Sequence, residues 1–111
     1  ASKPRSGDVI DGRFQIVGRP LGKGGMGTVY RAQDTSGVQY ALKRLDPALR
    51  EERNFEKRFR LEYEAAAGLQ HPNITQYHEL FEADGALHIR MELVEGINLR
   101  QLLKQEKILK T

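Results

Sequence analysis

The chain has 111 residues, with 18 Lys and Arg against 15 Asp and Glu, a formal net charge of +3 and no cysteine. This length allows one domain at most, and the lack of cysteine excludes a disulfide framework and a cysteine-based metal site. No apolar run reaches the length of a membrane span and the N-terminus has no apolar signal region, so the composition favours a soluble, cytoplasmic protein.

The first part of the chain is polar. Residues 1–9 are predicted to form a disordered lead-in, because they are mostly polar and include Pro4 and Gly7. A first strand is predicted over residues 14–17.

A glycine-rich segment, LGKGGMGTVY, follows at residues 21–30. Gly22, Gly24 and Gly27 have the G-x-G-x-x-G spacing, which occurs in dinucleotide-binding folds, in protein kinases and in ordinary turns. A backbone without Cβ atoms can lie close to phosphate groups. The segment therefore predicts a loop that covers the phosphates of a nucleotide triphosphate.

The residues after the glycines separate these alternatives. In a dinucleotide-binding unit the third glycine opens a helix, and an acidic residue follows about 20 positions later. Here residues 28–33 favour a strand, and the lysine Lys43 follows instead of an acidic residue. No Gly-Lys-Ser/Thr sequence closes the loop, which argues against a Walker-type phosphate loop. We expect a loop between two antiparallel strands, with the dinucleotide-binding fold as a minor alternative.

A third strand is predicted over residues 39–45, after a turn at residues 34–37. Asp46 and Pro47 end this strand. Basic residues then cluster in residues 50–60, with glutamates between them. This mixture favours a solvated helix face over a nucleic-acid surface, since no aromatic side chains are interleaved for base stacking.

The main helix is predicted over residues 54–69. Its apolar residues form one stripe at helical spacing: Phe55, Phe59, Ala66 and Leu69. Glu62 lies on the centre line of this stripe, whereas Glu64 points to the opposite side. A buried carboxylate is costly unless a cation meets it, and Lys43 lies among apolar residues of the third strand. We expect a Lys43–Glu62 ion pair; the alternative is that both side chains reach solvent separately.

Two further strands are predicted over residues 74–81 and 87–94, joined by a turn at residues 83–85. In the second of these strands apolar residues alternate with polar ones, which predicts one buried face and one solvated face. The polar positions are His88, Arg90 and Glu92.

The histidines lack the spacing of metal ligands and are interpreted as structural residues. They are His71, His78 and His88. No metal site is therefore predicted in this chain. A short helix is predicted from residue 98 to about residue 105.

The order of these elements resembles the N-terminal lobe of the eukaryotic-type Ser/Thr protein kinases found in bacteria. The resemblance covers about residues 10–105, and the segments that carry it are LGKGGMGTVY, YALK, RFRLEYEAAAGLQHPNI and HIRMELVEG. It implies an α+β fold with a five-stranded antiparallel sheet, one main helix and a short C-terminal helix. Residues 10–97 would form the small lobe, and residues 98–111 would be the truncated start of the larger lobe.

The resemblance also implies a binding site for ATP. The glycine loop would approach the triphosphate, Lys43 would hold the α- and β-phosphates, and Glu62 would hold Lys43 in place. The alanine and lysine of YALK stand in the register of the commoner V-A-I-K. The residues implied in binding are Leu21, Gly22, Lys23, Gly24, Gly25, Met26, Gly27, Val29, Ala41, Lys43, Met91, Glu92 and Val94.

Three groups of these residues would contact the adenine. Leu21, Val29 and Ala41 would cover the ring, and Met91 would be the gatekeeper at the back of the pocket. The main chain from Glu92 to Val94 would be the hinge that reads the adenine edge.

The chain has no H-R-D, D-F-G or A-P-E segment. In protein kinases these segments carry the catalytic aspartate and the magnesium-binding side chains. The resemblance therefore implies a parent enzyme that transfers the γ-phosphate of ATP to protein Ser/Thr hydroxyls. Magnesium and the protein substrates would bind through the missing lobe, and the 111 residues alone would be inactive.

The alternative function is a standalone interaction or dimerisation module without catalysis. An apolar set in the predicted C-terminal segment would then contact a partner, in place of the missing lobe. This set is Leu99, Leu102, Leu103, Ile108 and Leu109.

Overall fold

The computed structural model describes residues 3–24, 26–50, 53–67 and 76–93. The strands in these ranges are β1 (Val9–Ile10), β2 (Phe14–Ile16), β3 (Gly22–Lys23), β4 (Gly27–Gln33), β5 (Gln39–Leu45), β6 (Tyr77–Ala83) and β7 (Ala86–Glu92). The helices are α1 (Pro47–Arg50) and α2 (Arg53–Ala67). The strands form one antiparallel sheet in the order β1-β2-β4-β5-β7-β6, and β3 pairs with β4.

The predicted α+β fold is confirmed, and the five predicted strands correspond to β2, β4, β5, β6 and β7 with small shifts at their ends. Strands β1 and β3 were not predicted, because two residues are too few to show a periodic pattern. The predicted end of helix α2 at residue 69 and the predicted helix at residues 98–105 lie outside the described residues. In the part of the chain that is described, no helix is both long and apolar enough to cross a bilayer.

Helix α1 was also not predicted, since Asp46 and Pro47 were expected only to end the preceding strand. The Asp46 carboxylate accepts a hydrogen bond of 3.0 Å from the N–H of Ala48, so Asp46 caps the start of the helix. Pro47 follows at the first helical position, where a missing N–H costs nothing.

The described part of the predicted lead-in differs from the expected disorder. The N–H of Gly7 donates to the carbonyl of Ile16 at 2.8 Å, and Val9 pairs with Gln15. These contacts are between main-chain groups, which polar residues form as readily as apolar ones. Polarity alone therefore could not identify this edge of the sheet.

Apolar side chains cover both faces of the sheet. The inner cluster lies on the α2 side and comprises Met26, Val29, Ala41, Leu45, Phe59, Ala66, Tyr77, Leu87, Ile89 and Met91. The outer cluster lies on the opposite side and comprises Ile10, Phe14, Ile16, Tyr30, Ala32, Leu42 and Ala83. A sheet buried on both faces places its central strands in an environment where any charged side chain needs compensation.

The outer cluster exists because the sheet curls until its two edges meet. Arg13, beside β2, donates two hydrogen bonds of 3.1 and 3.0 Å to the Glu79 carboxylate of β6. The Arg13 guanidinium also lies over the rings of Phe14 and Phe81, at 4.7 and 5.0 Å from their centroids. Arg90 donates a third bond to Glu79 at 3.2 Å. The edge strands are thereby joined across the outer face.

This closure overturns the predicted solvation of the polar face of β7 at His88, whereas Arg90 is half-buried and Glu92 is exposed as predicted. His88 is 1% exposed and stacks on Phe81, with the ring centroids 5.1 Å apart. Its Nδ1 lies 3.1 Å from the carbonyl of Ala86, while Nε2 is buried and has no hydrogen-bond partner among the described residues. Burial, reinforced by the positive charge of Arg44, lowers the pKa of His88 to about 4. A neutral, packed imidazole agrees with the structural role predicted for this residue.

The basic residues of α2 that the structure describes lie on its solvated side. Lys57, Arg58 and Arg60 are exposed. Arg60 forms an ion pair of 3.4 Å with Glu56, one helical turn earlier. This arrangement agrees with the predicted solvated helix face.

Candidate functional site

Lys43 and Glu62 form a buried ion pair between β5 and α2. The Lys43 ammonium donates to both carboxylate oxygens of Glu62, at 3.0 and 2.8 Å. The side chains of the two residues are only 6% and 5% exposed. The predicted pair is therefore present, and the alternative that both residues reach solvent separately is wrong.

Two periodicities bring this pair together. Alternation along β5 turns Lys43 toward α2 and its neighbour Leu42 toward the outer cluster. On α2, Glu62 lies one turn after the fully buried Phe59, whereas Glu64 is exposed. The Lys43 ammonium lies 6.0 Å from the centre of the Phe59 ring. The pair is thus largely shielded from water, and removing one partner of such a pair costs about 3–5 kcal/mol.

Three residues predicted to cover or back an adenine share the face of Lys43. Val29 is the cross-strand partner of Lys43, and Ala41 precedes Lys43 by two residues and pairs with Met91. Val29, Ala41 and Met91 are all buried in the inner cluster, and Leu21 packs against that cluster at its edge. The register of β4, β5 and β7 therefore assembles one apolar wall beside one buried cation.

The glycine-rich segment forms a hairpin at the edge of this wall. Strands β3 and β4 pair Gly22 with Val29 and Lys23 with Thr28. The N–H of Gly24 donates to the carbonyl of Gly27 at 2.8 Å, which closes the hairpin. Gly25 lies outside the described residues. The predicted loop between two antiparallel strands is present.

Gly27 has a packing requirement that the sequence reasoning missed. A Cβ at this position would overlap the main-chain carbonyl of Arg44 and come within 3.2 Å of the Asp46 nitrogen. Gly27 does not have a positive φ, so the close approach of β5 is what demands a glycine here.

Met26 sits beside the hairpin tip and is folded inward. Its side chain is 8% exposed and belongs to the inner cluster. Its carbonyl accepts a hydrogen bond of 2.9 Å from the N–H of Asp46. The tip is thereby fixed to the corner where β5 meets α1.

The predicted hinge is described only in part. The N–H of Glu92 donates to the carbonyl of Gln76 at 2.8 Å, and its side chain is exposed. Leu93 packs against the inner cluster. Val94 lies outside the described residues, so the adenine-reading role of this segment stays a prediction.

These features match known proteins. Residues 16–111 match the family model described as "Protein kinase domain". The chain belongs to the protein kinase domain family. Among curated relatives, it is 40% identical over 98 residues to the serine/threonine-protein kinase PrkC of Bacillus subtilis, an alignment of 87% of the chain and 15% of that protein. It is 38% identical over 95 residues to the serine/threonine-protein kinase PknD of Mycobacterium tuberculosis, covering 85% of the chain and 14% of that protein.

Solved kinase structures give the same result for the fold. The PknI kinase domain of Mycobacterium tuberculosis matches with a TM-score of 0.71 and 38% identity, over 93% of this chain and 41% of that one. A second PknI kinase-domain structure matches with a TM-score of 0.69 and 39% identity, over 92% of this chain and 40% of that one. The chain therefore corresponds to the small, N-terminal lobe of a kinase domain of the bacterial Ser/Thr type.

Proposed function

We propose that the protein carrying this chain is a Ser/Thr protein kinase, and that these residues form its ATP-binding small lobe. The observation that carries the proposal is the buried Lys43–Glu62 pair beside an apolar wall with a glycine hairpin at its edge. This arrangement supports the proposal because it supplies a fixed cation for phosphate groups and a flat apolar surface for a purine.

In this proposal each residue binds or orients one part of ATP. The Lys43 ammonium donates to the α- and β-phosphates, and Glu62 fixes its position and balances its charge. The main chain of the glycine hairpin, from Gly22 to Gly27, covers the triphosphate. We propose that side chains of the larger lobe would hold magnesium, which would supply positive charge to the phosphates.

The remaining roles concern the adenine and the protein substrate. Leu21, Val29 and Ala41 cover the ring, Met91 closes the back of the pocket, and the main chain from residue 92 to residue 94 binds the adenine edge. Protein substrates bind through the larger lobe, and the reaction takes place in the cytoplasm. No observation in the described ranges favours the standalone interaction module.

The test uses a protein in which this chain is joined to the rest of its kinase domain. It is incubated with Mg²⁺, ATP labelled in the γ-phosphate and an acceptor protein, and the labelled residues are located by mass spectrometry. We expect label on serine and threonine, and none when the 111-residue chain is used alone. Absence of both transfer and ATP binding in the complete domain, or label on tyrosine alone, would contradict the proposal.

A further inference from the structure

A row of polar side chains crosses the face of the sheet opposite to Lys43. Lys23 pairs with Thr28, Thr28 pairs with Arg44, and Arg44 pairs with His88. Direct cross-strand partners lie on the same face of a sheet, and Arg44 follows Lys43 in β5, so it faces the other way. The row therefore runs along the outer face, from the glycine hairpin across β5 to β7.

A cavity of about 160 Å³ lies at the hairpin end of this row. Its lining residues are Lys3, Lys23, Gly24, Gly27, Thr28, Arg44 and Asp46. Three cations thus face one carboxylate, Asp46, whose Oδ1 caps α1. In the described ranges, none of the three cations forms an ion pair with a carboxylate.

Arg44 is the decisive member of this cavity. It is 6% exposed, although a guanidinium is always charged. Buried charges are usually paired or hydrogen bonded, because desolvation without compensation is expensive. The two lysines add to the excess of positive charge. They lie close enough to each other that Lys23 lowers the pKa of Lys3. The cavity has an excess of positive charge that the described residues do not balance.

We propose that this outer-face cavity binds a phosphate-type oxyanion, separately from the nucleotide site on the inner face. The planar guanidinium of Arg44 presents paired donors that match the oxygens of a phosphate, and the Thr28 hydroxyl and the lysine ammonium groups supply further donors. The volume is about five times the roughly 30 Å³ that one water occupies in the liquid. It accommodates a phosphate ion with a few waters, and it is below the range of about 300–1,000 Å³ typical of pockets for larger ligands.

The position of the cavity gives the bound anion a structural effect. Gly24 and Gly27 line the cavity. Both belong to the hairpin, and the opposite side of this hairpin faces the apolar wall. An anion held between Lys23 on β3 and Arg44 on β5 joins the hairpin to the central strand. The anion thus orders the hairpin from outside, whether or not a nucleotide is present on the inner face.

The test is a titration of the full chain with inorganic phosphate, followed by amide chemical shifts in NMR, with chloride at matched ionic strength as the reference. We expect saturable shifts centred on Thr28 and Arg44, with a dissociation constant of about 1 mM or lower. Arg44→Met and Lys23→Gln each weaken binding at least about tenfold, because each removes a charge-assisted donor. The matched control Lys57→Gln, on the exposed side of α2, leaves the affinity unchanged.

Three outcomes would overturn the proposal. One is that phosphate gives no saturable shift, and another is that chloride gives the same shifts as phosphate. The third is that the shifts centre on Lys43 and Glu62, which would place the ion on the inner face. If Arg44→Met does not fold, Lys23→Gln decides the question, because Lys23 is exposed and its loss removes no core contact.

Discussion

Lys43 and Arg44 are neighbours in β5, and they show how differently the two faces of one sheet treat a buried cation. Their exposures are nearly equal, at 5% and 6%. Lys43, on the inner face, has the Glu62 carboxylate at 2.8 Å, whereas Arg44, on the outer face, has no ion-pair partner among the described residues. Burial is therefore not the difference between them. The difference is that a helix brings a carboxylate to one face and not to the other.

The two faces therefore differ in the charge balance around their buried cations. On the inner face the cation is already balanced and held in one position, which suits a group that must meet a triphosphate in a fixed geometry. On the outer face the cavity beside Arg44 is lined by three cations and one carboxylate, a charge balance that suits the anion we propose there.

The largest expected effect comes from removing the contact between α2 and the inner face. Phe59→Ala deletes a side chain that is fully buried beside the Lys43 ammonium. We expect the free energy of unfolding to fall by about 4 kcal/mol, from lost burial and the cavity left behind. Urea denaturation measures this, with Lys57→Ala on the exposed side of α2 as the control. A loss below about 1 kcal/mol would show that α2 contributes little to the inner face.

The next effect concerns the balance of charge on the inner face. Glu62→Gln leaves the Lys43 ammonium buried without a counter-charge, and we expect a destabilisation of about 3 kcal/mol. Glu64→Gln is the matched control, since Glu64 is exposed two residues further along the same helix. Equal effects of the two substitutions in chemical denaturation would mean that the pair does not matter for stability.

On the outer face, His88 makes stability depend on pH. Its pKa is lowered from 6.5 to about 4 in the folded state, so below pH 6.5 the unfolded chain binds more protons. The contribution of neutral His88 is complete above pH 6.5 and is lost as the pH falls toward about 4, by up to about 3 kcal/mol. Thermal unfolding between pH 4 and 7 should show this dependence, and His88→Phe should remove it. An unchanged pH dependence in His88→Phe would contradict this assignment.

Substitutions of Lys43 and Arg44 should affect catalysis differently. In a complete kinase domain that carries this chain, Lys43→Met should lower kcat/KM about 100-fold, which corresponds to about 2.7 kcal/mol of transition-state stabilisation. Arg44→Met should lower kcat/KM much less, because Arg44 faces away from the apolar wall. Steady-state phosphoryl-transfer assays measure both values. Near-normal turnover of the Lys43→Met protein would show that Lys43 does not take part in the proposed site.

Local patterns were sufficient to predict the centre of the inner face. Strand alternation placed Lys43 and Ala41 on one face, and helical spacing placed Glu62 on the buried stripe, so the ion pair followed from two periodicities and the cost of an unpaired charge. The glycine hairpin was predicted for a similar reason, because the strand-forming residues after Gly27 excluded a helix.

The features that were missed depend on contacts between distant segments. The burial of His88 follows from the curl that joins Arg13 to Glu79, two residues 66 positions apart in the chain. The packing requirement of Gly27 likewise depends on which strand becomes its neighbour. Strand β1, in contrast, pairs locally with β2, and its two residues are too few to show a periodic pattern. Helix α1 is different, since the Asp46–Pro47 pair is a recognisable helix start that was interpreted only as the end of a strand.

The most direct test of the account is to label the lysines of the complete kinase domain with an ATP analogue that carries a reactive acyl group on its γ-phosphate. Mass spectrometry then compares Lys43, on the inner face, with Lys23, on the outer face of the hairpin. We expect acylation of Lys43 that excess ATP suppresses, and no ATP-sensitive acylation of Lys23. ATP-sensitive labelling of Lys23 with Lys43 unlabelled would show that the nucleotide binds on the outer face, which would contradict the proposed inner-face site.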